Sequence, residues 1–185
     1  MSGPPDAVPA PLIAADTPRW LRPLAGLLAL LNRAMAGLGM LALLAASLIL
    51  TSSVVTRYFL HASTDWQDEA AVFCMVGATF LCGGFVQSAR GHIGIEAVSS
   101  LLPAAVNRLR QWLVDLMSLL FCGFFAWKSW TLWREAWSEG QTTSSSWAPP
   151  LWIPYGLMAA GMSLLVLQLL LQWLVGLDGL VRRRA

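Results

Sequence analysis

An all-α integral membrane protein, with four transmembrane helices, interfacial amphipathic helices and both termini cytoplasmic, is the fold class this sequence predicts, on three observations. The chain is 57% hydrophobic and only 12% charged, with a mean hydropathy of +0.61, which is too apolar for a soluble domain of its length. Four windows are apolar over the roughly 20 residues that a helix needs to cross the hydrocarbon core. Nine of the twelve Lys and Arg residues flank those windows on one side, and loops kept in the cytoplasm are the ones that retain positive charge.

The segment 1–18, "MSGPPDAVPAPLIAADTP", holds five prolines and no sustained apolar run, so it reads as a disordered cytoplasmic tail. It lacks the basic start and apolar core of a signal peptide. Residues 19–33, "RWLRPLAGLLALLNR", place Arg19 and Arg22 beside Trp20 ahead of a leucine-rich run. That pattern predicts a helix lying at the membrane surface or an extension of the first span.

The membrane domain proper is expected over 34–177. Its first two spans, about 34–56 and 70–89, are free of charge throughout. The third, about 111–133, carries Asp115 near its start and Lys128 near its end, where long or terminal side chains reach the interface. A helix from 103 to 137 would extend roughly 50 Å at 1.5 Å per residue, more than a bilayer core. The fourth span, about 153–177, is uncharged and leucine-rich. A basic cytoplasmic tail, 178–185, follows.

Basic residues orient these spans. Arg19, Arg22 and Arg33, then Arg90, Arg108 and Arg110, then Arg182, Arg183 and Arg184 share one side, leaving Arg57, Lys128 and Arg134 for the other. The loops after spans one and three are therefore expected outside, with Asp65, Asp68, Glu69, Glu135 and Glu139 at or near them.

Trp20, Trp66, Trp112, Trp147 and Trp152 fall at span ends or in loops, as an aromatic belt requires. Trp127, Trp130, Trp133 and Trp137 recur every three or four residues on one face of the third helix. Both a lipid-facing belt and a protein interface fit that face. Along the second span Ala70, Cys74, Ala78 and Cys82 recur every four residues, with Gly77 and Gly84 seven apart. Such small side chains let another backbone approach, and the three cysteines read as packing residues.

No catalytic, cofactor or metal site is expected. His61 and His92 belong to loops on opposite sides of the membrane, separated by about 30 Å. The chain has no Cys or His pair at zinc spacing, no haem-attachment motif and no glycine-rich phosphate loop. A nucleic-acid partner is not expected either. The cluster Arg90, Gly91, His92 and Glu96 lies where the second span meets the cytoplasm. In "HIGIEAVSSLL" the apolar residues share one helical face, which fits a short interfacial helix ended by Pro103. These charged residues then serve as membrane anchors.

Three motifs in order between the spans resemble a known family. "RYFLHASTDWQDE" follows the first span, with Arg57 and Tyr58 ahead of Asp65, Trp66, Asp68 and Glu69. "SARGHIGIEAV" follows the second, and "EGQTTSSSWAPPLWIPYG", with Pro149, Pro150, Trp152 and Pro154, leads into the fourth. Over about residues 30–175 the chain resembles the small membrane subunit of tripartite ATP-independent periplasmic (TRAP) transporters, the DctQ-like proteins, which often have Asp where Glu96 stands. The resemblance implies a non-enzymatic subunit in the bacterial inner membrane that braces a large membrane subunit. That partner performs sodium-coupled uptake of an organic acid or similar solute delivered by a periplasmic binding protein. The residues just named are then candidates for subunit contact or membrane anchoring, and the 144–155 segment is expected to stay extended on the outer face. Two other classes are compatible with four apolar spans. A membrane-anchor subunit of a redox enzyme would place histidines within the spans, and a small multidrug exporter would place a glutamate inside the membrane.

Overall fold

The computed structural model describes residues 21–61, 63–88 and 104–181. Their architecture is all-α, with four helices long and apolar enough to cross a membrane. Helix α1 runs Arg22–Val55 and is continued by a π-helical turn, Thr56–Leu60. Helix α2 runs Asp65–Ser88, α3 Ala104–Ser138 and α4 Trp152–Val181. Among the described residues there is no strand, only an isolated antiparallel pairing of Thr142 with Pro150.

Local chemistry sets the helix ends. Pro23 sits in the first turn of α1, where its missing N–H costs nothing and its fixed φ favours the helix. Residues 22–33 are the opening turns of the same helix that forms the first span. At the far end of α1 the wide π turn leads into His61, whose φ of 51° reverses the chain. The Thr64 carbonyl accepts from the Gln67 and Asp68 N–H groups, and Asp65 and Asp68 stand in the first turn of α2. Carboxylates are favoured there by the helix dipole, so α2 begins five residues before its uncharged window. Helix α3, 35 residues long, spans about 52 Å at 1.5 Å per residue.

The helices pack as a row in the order α1, α2, α4, α3, with α2 and α4 inside and only slight contact between α1 and α4. Small residues make the seams. A Cβ added to Gly39 would lie 2.5 Å from Cys82 Sγ and 3.4 Å from the Ala78 carbonyl, so α1 and α2 meet backbone to side chain at this point. At the α2–α4 seam a Cβ on Gly161 would collide with the Phe80 backbone. Ala71 and Ala78 of α2 and Ala159 of α4 are fully buried or nearly so. The tryptophan face of α3 divides between both readings. Trp133 packs against Gly156, and Trp130 donates to Ser163 Oγ at 2.9 Å. Trp127 stays exposed, and Trp137, though also exposed, meets Trp152 of α4.

One expectation is overturned. The 144–155 segment does not run extended, because residues 141–151 fold back on themselves. The Leu151 N–H donates to the Gln141 carbonyl at 2.9 Å and the Thr143 N–H to the Pro149 carbonyl at 3.1 Å. Positive φ at Gly140 and Ala148 makes the reversal possible, and the Ala148 N–H is held by Ser145 Oγ at 3.1 Å.

Candidate functional site

Two polar constellations stand out in this apolar chain. One lies at the end where α1 turns into α2 and α3 into α4, here called the loop end. Arg57, on the π turn, donates to Thr64 Oγ1 through Nη2 at 2.7 Å and to Asp68 Oδ2 at 2.9 Å. The other Asp68 oxygen accepts from Ser53 Oγ of α1 at 3.1 Å. Asp68 thus ties α2 to both the last turn of α1 and the π turn. Because the Arg57 and Asp68 side chains are 63% and 47% exposed, this pair contributes about 0–1 kcal/mol in an aqueous setting; its effect is mainly orientation.

The same end joins the two connecting loops. Asp65 accepts from Ser146 Oγ at 3.0 Å, and the Trp66 ring meets the Trp147 ring edge-on at 6.4 Å. Of the sequence candidates, Arg57, Asp65, Trp66 and Asp68 therefore converge with the 141–151 loop on one surface. Tyr58 is exposed beside Phe59. Pro149 is buried and Pro150 pairs with Thr142. Trp152 stacks edge-on against Trp137 at 4.9 Å, which closes the top of the α3–α4 seam. Pro154 and Glu69 line a groove between α2 and α4. Arg90, Gly91, His92 and Glu96 lie outside the described residues, as do the 1–18 tail and residues 182–185 of the basic C-terminus.

The second constellation is buried between helices, away from the loop end, and sequence reading missed it. Asn32 of α1 donates through Nδ2 to Gln168 Oε1 of α4 at 3.0 Å. Gln87 of α2 donates through Nε2 to Gln172 Oε1 at 2.8 Å, and Gln172 Nε2 donates back to the Gln87 carbonyl at 2.9 Å. Asn32, Gln168 and Gln172 are each at most 2% exposed. With no water in the hydrocarbon core, polar side chains must find partners across helices, and this set pins α4 to both α1 and α2. The signal was present as two glutamines four residues apart in an uncharged, leucine-rich span, one helical turn that puts both on one face.

Among the described residues no group of three or more His, Cys, Asp or Glu side chains could hold a metal ion. His61 is exposed in the first connection.

Four membrane-length helices in a row, with polar loops gathered at one end and buried amides tying the helices toward the other, define a small multi-pass membrane protein. Residues 46–179 match the family described as tripartite ATP-independent periplasmic transporters, DctQ component. The match covers well over half of the chain, which belongs to that family. It is a family of transporter components and not of enzymes. No curated protein and no solved structure matches the chain.

Proposed function

We propose that this chain is the small membrane subunit of a TRAP transporter in a bacterial inner membrane, bracing a large membrane subunit that takes up an organic acid or similar solute. In this reading uptake is sodium-coupled and fed by a periplasmic binding protein. The observation that carries it is family membership over 46–179. The packing supports it, because the outer helices of the row, α1 and α3, are widely exposed along their apolar lengths and offer area to a membrane partner as well as to lipid.

Both termini are cytoplasmic in this reading, and the loop end faces the periplasm. There Arg57, Asp65, Trp66, Asp68 and the 141–151 loop help to seat the large subunit on the side that the binding protein visits. Arg90, Gly91, His92 and Glu96 anchor the opposite end. A cation at lipid phosphates or at a helix C-terminus, the role proposed for Arg90, is worth up to about 1 kcal/mol. A histidine and a glutamate four residues apart in sequence, as His92 and Glu96 are, contribute a few tenths of a kcal/mol where they share a helical face. Such terms predict graded effects.

The test is co-purification of the two subunits beside sodium-driven uptake in vesicles. Arg90→Ala is expected to weaken assembly and uptake in parallel, and His92→Ala to do less. Full assembly with uptake abolished would place the cluster in the transport mechanism and overturn the bracing reading for it. If charge reversal at Asp65 and Asp68 left both readouts unchanged, the seating role of the loop end would be lost.

A further inference from the structure

Lys128 stands toward the end of the third span in the sequence, but the packing places it near the middle of the membrane. Helix α3 continues for ten residues past it, to Ser138. Against α4, Trp133 packs on Gly156 and Trp130 bonds to Ser163, which sets Lys128 level with about residues 161–165. In α2 that level is Phe80 to Gly84, which meet Gly161 and Leu164. Phe80 and Gly84 are eleven and fifteen residues from Glu69, the last charged residue before the stretch 70–89. At 1.5 Å per residue this is a depth of about 16–22 Å in a hydrocarbon core of roughly 30 Å, which leaves about 8 Å or more to the opposite side.

At that depth the ammonium has no counter-charge of its own chain. Lys128 is exposed on α3, one turn from the exposed Phe124 and two from the exposed Phe121. Its Nζ lies over the Trp127 ring at 5.2 Å, which screens one side of the charge and leaves N–H donors without an acceptor. Among the described residues it meets no carboxylate. Glu135 and Asp115 are seven and thirteen residues away along α3, about 10 and 19 Å of rise, and α4 carries no charge from Trp152 to Leu177. Charges within membrane spans pair inside a bundle or face a water-filled cavity. Lys128 faces outward, so its pair must come from outside the chain. Lipid phosphates stay at the interface, beyond a four-carbon stem of about 6 Å. A carboxylate on a neighbouring transmembrane helix can stand at the same depth.

We propose, on the bracing reading, that Lys128 pairs with a mid-membrane carboxylate on a transmembrane helix of the large subunit. That helix packs on the face of α3 formed by Phe121, Phe124 and Lys128.

The experiment is recovery of the large subunit on the tagged small one from detergent-solubilised membranes. Lys128→Met keeps the side-chain length, removes the charge and leaves the partner's carboxylate unpaired. It should lower recovery at least about tenfold, within what truncating one side of a buried charge pair costs. Lys128→Arg keeps the charge and should lose far less. In the wild-type complex a membrane-permeant carbodiimide should join the Lys128 amine to a carboxylate in a membrane span of the large subunit. The isolated Lys128→Met chain should unfold in SDS at the wild-type midpoint, since the lysine makes no ion pair within the chain. Wild-type recovery by Lys128→Met overturns the proposal, the ammonium then lying with lipid. So does a carbodiimide product that maps to a loop or to this chain itself, or a loss of recovery matched by a lower unfolding midpoint of the isolated variant. Those results leave the bracing reading standing; if the wild-type subunits themselves do not co-purify, that reading fails and takes the pairing with it.

Discussion

Replacing Gln172 by Leu tests whether the buried amides hold the row in register. Gln172 is 1% exposed and makes two hydrogen bonds to Gln87, one accepted at its Oε1 and one donated to the Gln87 backbone carbonyl. Interhelical side-chain bonds within membranes average about 0.6 kcal/mol and reach about 1.7 kcal/mol. Two such bonds put the loss at about 1–3 kcal/mol. Gln87→Leu removes only the side-chain bond, since the carbonyl that Gln172 reaches belongs to the Gln87 backbone, and the double variant removes both side chains. The double variant should therefore be less destabilised than the sum of the singles, by about 1 kcal/mol. The measurement is unfolding of the purified chain by SDS titration in mixed micelles, followed by far-UV circular dichroism. Additivity within about 0.5 kcal/mol, the behaviour of independent sites, would refute the coupling.

Gly161→Val should destabilise the chain by about 1–3 kcal/mol in the same titration, since overpacking a closed seam costs that much and Gly161 abuts the Phe80 backbone. Gly26→Ala, with nothing within 4 Å of the added Cβ, should be neutral or slightly stabilising through helix propensity. Arg57→Ala removes an exposed ion pair, so its cost should stay below about 1 kcal/mol by the same readout; a larger loss would mean that the loop-end cluster is structural. A topology reporter fused after Ala185 should be active in the cytoplasm and one inserted near Ser145 in the periplasm, and the reverse pattern would overturn the proposed orientation.

The helices were legible because apolar length alone decides what crosses a bilayer. Their ends were less so. Helix α2 starts at Asp65, not at the first uncharged residue, because two carboxylates in its first turn suit the dipole and one of them finds Arg57. The loop-end candidates Arg57, Asp65, Trp66 and Asp68 could be named from the sequence. Their partners Ser53, Thr64, Ser146 and Trp147 could not be paired with them, since that requires knowing that the two connections meet. The serines and prolines of 144–155 suggested extended chain, yet the same residues also make turns, and positive φ at Gly140 and Ala148 decided for the turn. The amide cluster escaped for a different reason. Asn32, Gln87, Gln168 and Gln172 carry no charge, so windows screened for charge pass over them, although an uncharged amide in hydrocarbon still needs a hydrogen-bond partner.

The row arrangement carries a last consequence. In the apolar windows of α4 and α2, 39% and 22% of residues are buried within the chain, against 11% in α3 and 17% in α1. Lipid tails satisfy apolar side chains as well as protein does, so exposure alone does not drive association in a membrane; packing does. The inner pair is held by glycine contacts and amide bonds. Helix α3 leans chiefly on α4, through Trp130 and Ser163 near the loop end and through stacked Trp112 and Trp173 at 5.9 Å near the other. It is therefore the helix with most to gain from an outside contact. If the large subunit packs on the row as proposed, assembly should slow amide hydrogen exchange in α3 more than in α4. It should also raise the melting temperature, with about 2.7 kcal/mol of added stability when the partner is present at a hundredfold its Kd. Exchange mass spectrometry of the isolated chain and of the complex measures this directly. Protection confined to α2 and α4, with α3 unchanged, would mean that lipid and not the partner covers the outer face of α3.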